Sequence, residues 1–219
     1  MRTIQYRAGF SHTVQFWGLF SLFAMTAVLF LFVGNEREIA DWFGSVRALS
    51  PRLTGVMSAL SQYGNLMFYA IYVYILVRSF GSGDRAGCHF ILYYLMMLVL
   101  LLLVTDTLKI WIGRPRPGEA GEYVLLSLHK RWHSFPSNHM TETAFSVLAL
   151  AQFFKRRPYT AVFSLWVLVM GVTRLYLGRH HPTDLLGSAL LGSLGVYVLW
   201  KLAETWFTAP AVRQCPQAG

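Results

Sequence analysis

Residues 86–105 read AGCHFILYYLMMLVLLLLVT, a run with no aspartate, glutamate, lysine or arginine. At ~1.5 Å of rise per residue, a helix of this length spans about 30 Å, the thickness of a bilayer's hydrocarbon core. Two earlier runs, Thr13–Val33 and Leu53–Val77, are at least as long and as free of charge. Composition points the same way. The chain of 219 residues is 55% hydrophobic and 13% charged, whereas a soluble domain carries about 25% charged residues. This predicts an all-α integral membrane protein with one membrane domain over 1–219.

Three later apolar runs are shorter: Thr143–Phe154, Pro158–Thr173 and Leu185–Trp200. They reach crossing length only by including flanking residues, and those flanks hold the ionisable groups. The expected bundle has six transmembrane helices, at 13–33, 53–77, 86–107, 137–154, 158–177 and 183–203. A charge at mid-bilayer costs roughly 2.5–3.5 kcal/mol on insertion scales, so charged helix ends belong near headgroup depth. The first run is too long for the ~7–15-residue core of a signal peptide, and no small-residue cleavage site follows it. It reads as a retained span. Cys88 and Cys215 alone give no disulfide framework.

Six crossings place both termini on one side. That side carries Arg2, Arg7, Arg78, Arg85, Lys155, Arg156, Arg157, Lys201 and Arg213. The other side carries ten Lys/Arg between Arg37 and Arg179, five of them in the clusters described next. With those five set aside, the positive-inside rule puts the termini in the cytoplasm of a plasma (inner) membrane protein. The net charge of +9 does not imply nucleic acid, because basic loops orient spans and no aromatic-basic groove module is present.

Ionisable residues gather in KIWIGRPRP (109–117), FPSNHMTE (135–142) and TRLYLGRHHPTD (173–184). Counting helices puts all three on one membrane face, served by segments 34–52, 108–136 and 174–184. The first offers Lys109, Arg114 and Arg116, with Pro115 and Pro117 stiffening the turn. Arginine's planar fork suits phosphate oxygens, and lysine supplies a point charge. In the second, Ser137 or Asn138 is a natural N-cap, the helix N-terminus favours an anion, and His139 lies in the first turn. In the third, Pro182 starts the last helix. Asp184 could then accept a hydrogen bond from His180 and leave its other ring nitrogen free as a nucleophile. Arg174 is six residues earlier and within reach of the same anion. A metal site of His139, His180, His181 and Asp184 is the rival reading, opposed by the excess of cations over carboxylates.

These clusters resemble the three-part signature of the type 2 phosphatidic acid phosphatase (PAP2) superfamily of membrane lipid phosphatases. Lys109, Arg116 and Pro117 match K-x6-R-P. Pro136, Ser137 and His139 match P-S-G-H, with Asn138 in place of glycine. Arg174, His180 and Asp184 match S-R-x5-H-x3-D, with Thr173 in place of serine. The resemblance implies a PAP2-type active site at one membrane face and a metal-independent phosphatase without cofactor. In that site His180 forms a phosphohistidine, Asp184 orients it and His139 protonates the leaving oxygen. Lys109, Arg116, Ser137, Arg174 and the Asn138 backbone N–H hold the phosphoryl oxygens. Arg114, Arg179 and His181 match no signature position and are candidates for headgroup contacts.

The expected substrate is a phospholipid or isoprenoid phosphate within the bilayer. Undecaprenyl diphosphate, phosphatidylglycerophosphate, phosphatidic acid and lipid A 1-phosphate all fit, and no obligate protein partner is implied. A lipid phosphotransferase of the same fold and a non-catalytic transporter or scaffold are the alternatives. Finally, Ile39, Trp42, Phe43, Val46 and Leu49 recur at helical spacing in 35–52. That segment reads either as an interfacial amphipathic helix or as a cap packed over the bundle.

Overall fold

The computed structural model describes residues 10–119 and 121–207; Arg2, Arg7, Arg213 and Cys215 lie outside them. Its elements run α1 (His12–Phe32), α2 (Glu36–Leu49), α3 (Pro51–Tyr63), α4 (Leu66–Gly81), α5 (Arg85–Ile112), α6 (Asn138–Phe154), α7 (Arg157–Tyr176) and α8 (Pro182–Phe207), and the described residues contain no strand. Five segments are long and apolar enough to cross a membrane: α1, the α3–α4 pair, α5, α7 and α8. Large apolar side chains such as Phe16, Leu31, Val99, Leu165 and Leu194 cover their outer faces. In water these would be unstable patches; against acyl chains they are the expected surface.

At the centre stands α6, with 13 of its 17 residues buried. It is enclosed by α1, α5, α7 and α8. Close packing against α8 depends on Gly192, where a Cβ would lie 2.6 Å from the Thr141 carbonyl oxygen and 2.9 Å from the Phe145 nitrogen. Small residues that let helix backbones approach are the usual device where lipid supplies no hydrophobic drive between helices.

The run 53–77 is not one unbroken helix, as the sequence suggested. It breaks at Gly64–Asn65, for a tertiary reason. The Asn65 amide donates to the Glu142 carboxylate at 2.8 Å and its Oδ1 accepts from the Thr143 hydroxyl at 3.0 Å. Tyr69 also donates to Glu142. These bonds fix α4 against α6 and turn the polar end of α3, with Ser58, Ser61 and Gln62, toward the cleft described below.

Both readings of the segment after α1 capture part of α2. The helix is opened by a capping box in which Asn35 accepts from the Arg37 and Glu38 nitrogens and Glu38 accepts from the Asn35 nitrogen at 2.7 Å. Ile39 and Phe43 are buried, so α2 caps the bundle, while Trp42 and Leu49 remain exposed on its outer side. Gly113 ends α5 in the left-handed conformation, φ 56°. A side chain there would be strained and would also collide with the Val124 carbonyl, 1.7 Å from an added Cβ.

Candidate active site

One end of the bundle gathers the charged residues, and each arrives from a helix terminus or the 113–137 connection. Lys109 comes from the last turn of α5, Ser137 caps α6, Arg174 ends α7, and His180 occupies the tight turn before α8. A cleft of about 290 Å³ opens here between α3, α6 and α7, walled by Ser58, Ser61, Gln62, Arg116, His139, Arg174, Leu177 and Arg179. A larger groove, about 590 Å³, lies at the opposite end between α1 and α7, where Val14, Trp17, Phe20 and Leu165 stand beside Lys155, Arg156 and Arg157. The smaller cleft joins a histidine to converging cations, and the larger groove has no histidine, which makes the smaller one the candidate site.

His180 lies directly behind that wall and is only 4% exposed. Its Nδ1 is 2.6 Å from the Ser134 carbonyl oxygen, a contact only an N–H can make. The proton is therefore on Nδ1, and Nε2 carries the lone pair. Arg174 Nη2 sits 3.3 Å from Nε2, while its Nη1 donates to the Ser61 hydroxyl at 2.7 Å. Burial, and then the nearby charge of Arg174, push the His180 imidazole well below its usual pKa, with Arg116 and Lys109 adding to the effect and the Ser134 carbonyl opposing it. The ring is a neutral base facing cations.

The expected Asp184–His180 hydrogen bond is not made: Asp184 Oδ2 is 3.9 Å from Nδ1. Instead the fully buried Asp184 accepts from Arg114 Nη1 at 2.5 Å, from the Ser134 hydroxyl and from the His181 backbone nitrogen at 2.8 Å. The physical reason is local. With α8 starting at Pro182, the carboxylate folds back to cap its own helix, and Ser134 stands between it and the imidazole. Asp184 thus acts on His180 through Ser134, whose hydroxyl it holds and whose carbonyl holds the ring.

Arg114 is engaged by other side chains rather than free for a headgroup. Arg114 bridges Asp184, Thr183 and Glu36, and Glu36 in turn accepts from the Thr183 hydroxyl and backbone nitrogen. His181 Nε2 meets the Pro115 carbonyl at 3.2 Å and its Nδ1 is buried without a partner; the residue does not line the cleft. Arg179, by contrast, is exposed and forms part of the wall.

Of the remaining candidates, Arg116 is part of the cleft wall, whereas Ser137, Asn138 and Lys109 are not among its lining residues. Ser137 accepts from the Met140 nitrogen at 3.4 Å, and its own N–H donates to Ser188 at 2.6 Å. Lys109 donates to Asn138 Oδ1 at 2.5 Å and to Asp106 at 3.3 Å, and the Asn138 amide donates to Asp106 at 2.7 Å. The residue replacing the signature glycine therefore holds the signature lysine with its side chain. Arg116 hangs from the Arg131 carbonyl at 3.0 Å. Its Nε and that of Arg174 are buried without a partner. Burial, then the charge of Arg179, lowers the pKa of Arg116, with Glu119 opposing. Unpaired guanidinium donors converging on one cleft are arranged for an oxyanion. Among the described residues no three His, Cys, Asp or Glu side chains form a metal-binding group.

Sequence reasoning passed over Ser134, Glu36, Asp106 and Ser61. Asp106 sits one turn before Lys109, and the polar LSQYGN inside an apolar run was a visible signal for Ser61. A lone serine in a loop and a glutamate seventy-eight positions from its arginine partner carry no such signal.

The chain is similar to known proteins. The family model described as the PAP2 superfamily matches residues 90–207. The chain is 27% identical over 185 residues to the lipid A 4'-phosphatase of Bacteroides thetaiotaomicron, covering 82% of this chain and 76% of that protein. It is 25% identical over 152 residues to the undecaprenyl-diphosphatase BcrC of Bacillus subtilis, covering 69% of this chain and 76% of that protein. The crystal structure of a transmembrane PAP2-type phosphatidylglycerolphosphate phosphatase from Bacillus subtilis superposes with a TM-score of 0.59 at 25% identity, covering 87% of this chain and 97% of that one. With the family model spanning more than half its length, and the signature lysine, arginines and histidines gathered at one end of a membrane helix bundle, the chain belongs to the PAP2 superfamily.

Proposed function

We propose that this membrane phosphatase removes a phosphate from a lipid, as a monoester or diphosphate, through a phosphohistidine on His180. One observation carries the reading: His180 presents an unprotonated Nε2 beside Arg174, with Nδ1–H held on the Ser134 carbonyl. The entering phosphate draws the Arg174 guanidinium onto its own oxygens and uncovers Nε2. The Nε2 lone pair then forms the N–P bond as the bond from phosphorus to the lipid oxygen breaks, and His139 gives that oxygen its proton. Water next attacks the phosphohistidine, passes a proton to His139, and the N–P electrons return to Nε2 as inorganic phosphate leaves. Lys109, Arg116, Arg174, Ser137 and the N-terminus of α6 stabilise the charge on the transferred group. Phosphate is attracted by this cation excess, whereas a divalent metal is repelled.

Placement in the membrane completes the proposal. With α3–α4 counted as one crossing and α6 as the fourth, six crossings put the termini in the cytoplasm. Lys155, Arg156 and Arg157 mark the cytoplasmic end between α6 and α7. The catalytic cleft then opens on the periplasmic or extracellular side of a plasma (inner) membrane, at headgroup depth. Relatives acting on lipid A and undecaprenyl diphosphate support a substrate whose phosphate projects from the bilayer surface.

The test is phosphate release from a panel of detergent-solubilised lipid phosphates. His180→Ala should abolish turnover while leaving the thermal unfolding profile intact. Wild-type activity should survive excess EDTA, and vanadate should inhibit by mimicking the five-coordinate state on His180. Residual turnover above a few per cent in His180→Ala refutes the nucleophile. Complete EDTA inhibition reversed by one specific metal refutes the mechanism.

A further inference from the structure

Beside the catalytic cleft lies a second one of about 300 Å³, lined by Arg116, Pro117, Glu119, Lys130, Arg131, Leu177, Gly178 and Arg179. The two clefts share Arg116, Leu177 and Arg179 as a common wall. A guanidinium has five N–H donors in a planar fork, so the shared arginines can address a ligand on either side. We propose that this second cleft is a phosphate site, filled by a second phosphate of the substrate headgroup or by the released inorganic phosphate. The proposal rests on the phosphatase reading above and extends it to the substrate class.

Charge is the first argument. Four cations face the single carboxylate of Glu119, and among the described residues neither Lys130, Arg131 nor Arg179 forms an ion pair. Cations that outnumber their counter-charges repel one another and are relieved by an anion. Placement is the second. The Arg131 guanidinium rests over the ring of the buried Trp132, 5.2 Å from its centroid, and the Arg131 carbonyl accepts the Arg116 N–H at 3.0 Å. Arg131 is therefore pre-positioned on the same backbone unit that suspends Arg116, and the two clefts are rigidly linked. The third argument is topological. On the face opposite Lys155–Arg157, extra lysine and arginine run against the orientation preference, so Lys130 and Arg131 need a ligand to account for them. Neither belongs to the signature.

The test uses the full chain in detergent–phospholipid micelles and the double variants Lys130→Ala/Arg131→Ala and Lys130→Gln/Arg131→Gln. Size-exclusion and thermal unfolding profiles matching wild type show that they fold. Substrates are farnesyl phosphate and farnesyl diphosphate, which share a tail, and lipid A with one or two phosphates; inorganic phosphate is the inhibitor. If a headgroup phosphate occupies the cleft, kcat/KM on two-phosphate substrates falls about tenfold or more, the loss of roughly one charge-assisted contact at ~1.4 kcal/mol per tenfold, while single-phosphate substrates change little. If the occupant is released phosphate, the inhibition constant for inorganic phosphate rises by about the same factor on every substrate, without substrate selectivity. Equal losses on one- and two-phosphate substrates with unchanged phosphate inhibition, or no change at all, overturn the second site. A wild-type chain that cleaves none of the four substrates overturns the phosphatase reading instead.

Discussion

Arg114→Leu tests whether the arginine that matches no signature position binds substrate or holds the site together. Arg114 Nη1 lies 2.5 Å from Asp184 and 2.8 Å from Thr183, and Nη2 pairs with Glu36. The Asp184 side chain is 0% exposed. Stranding one member of a buried ion pair costs about 3–5 kcal/mol. The Ser134 hydroxyl and the His181 N–H still donate to Asp184, which puts the loss near the lower end, about 3 kcal/mol. At ~2–4 °C per kcal/mol for a chain of this size, Tm in dodecyl maltoside should fall by about 6–12 °C, followed by tryptophan fluorescence. Adding Asp184→Asn to Arg114→Leu removes the stranded charge and should restore part of that Tm, a coupling that separate sites do not show. The reasoning is refuted if Tm moves by less than about 1 °C while KM for lipid phosphate rises, the behaviour of a headgroup contact.

The depressed pKa of His180 means that its imidazole stays neutral as pH falls through 6.5, the ordinary histidine midpoint. In ¹⁵N-histidine spectra of the substrate-free protein, the signal lost in His180→Ala should keep its neutral pattern there; a midpoint at or above 6.5 refutes the buried environment. His139→Ala should slow monophosphate esters more than diphosphates, by something up to ~10²–10⁴-fold, because an alkoxide needs a proton that a departing phosphate does not; equal losses mean that His139 only positions the phosphoryl group. Gly192→Leu should destabilise by at least ~1–3 kcal/mol, the usual cost of overpacking, since its neighbours are the backbone of α6; an unchanged Tm refutes the close α6–α8 crossing. A cysteine at Gly121 should react with an impermeant thiol reagent on intact cells and one at Ser82 only after lysis; the reverse pattern inverts the topology.

The sequence made the membrane class and the three clusters legible because each rests on a local rule. Apolar length sets crossing helices, and Lys109, Arg116, His139, Arg174 and His180 lie in helix ends and connections at one end of the bundle. What it hid depends on contacts between distant segments. The break at Gly64–Asn65 follows from Glu142 and Thr143 on another helix. The i,i+4 spacing of His180 and Asp184 suggested a direct bond, yet only the folded turn shows Ser134 between them. Arg114 looked available because it matches no signature position, and its partner Glu36 arrives from α2. Among the non-signature candidates, Arg179 is the one that lines both basic clefts.

Because α6 is sheathed by other helices, its assembly order matters. It carries Glu142, Thr143, Ser146 and Gln152, groups that would each cost several kcal/mol if left unsatisfied in acyl chains. Their hydrogen-bond partners are Asn65 and Tyr69 for Glu142, Asn65 for Thr143, Tyr72 and Tyr94 for Ser146, and Ser11 and Gln15 for Gln152. Every one of them lies earlier in the chain. During N-to-C synthesis, α6 leaves the ribosome after α1, α4 and α5 have already brought its acceptors and donors into the bilayer. The helix that carries His139 thus enters a prepared socket and need never face lipid alone, and α8 closes over it last.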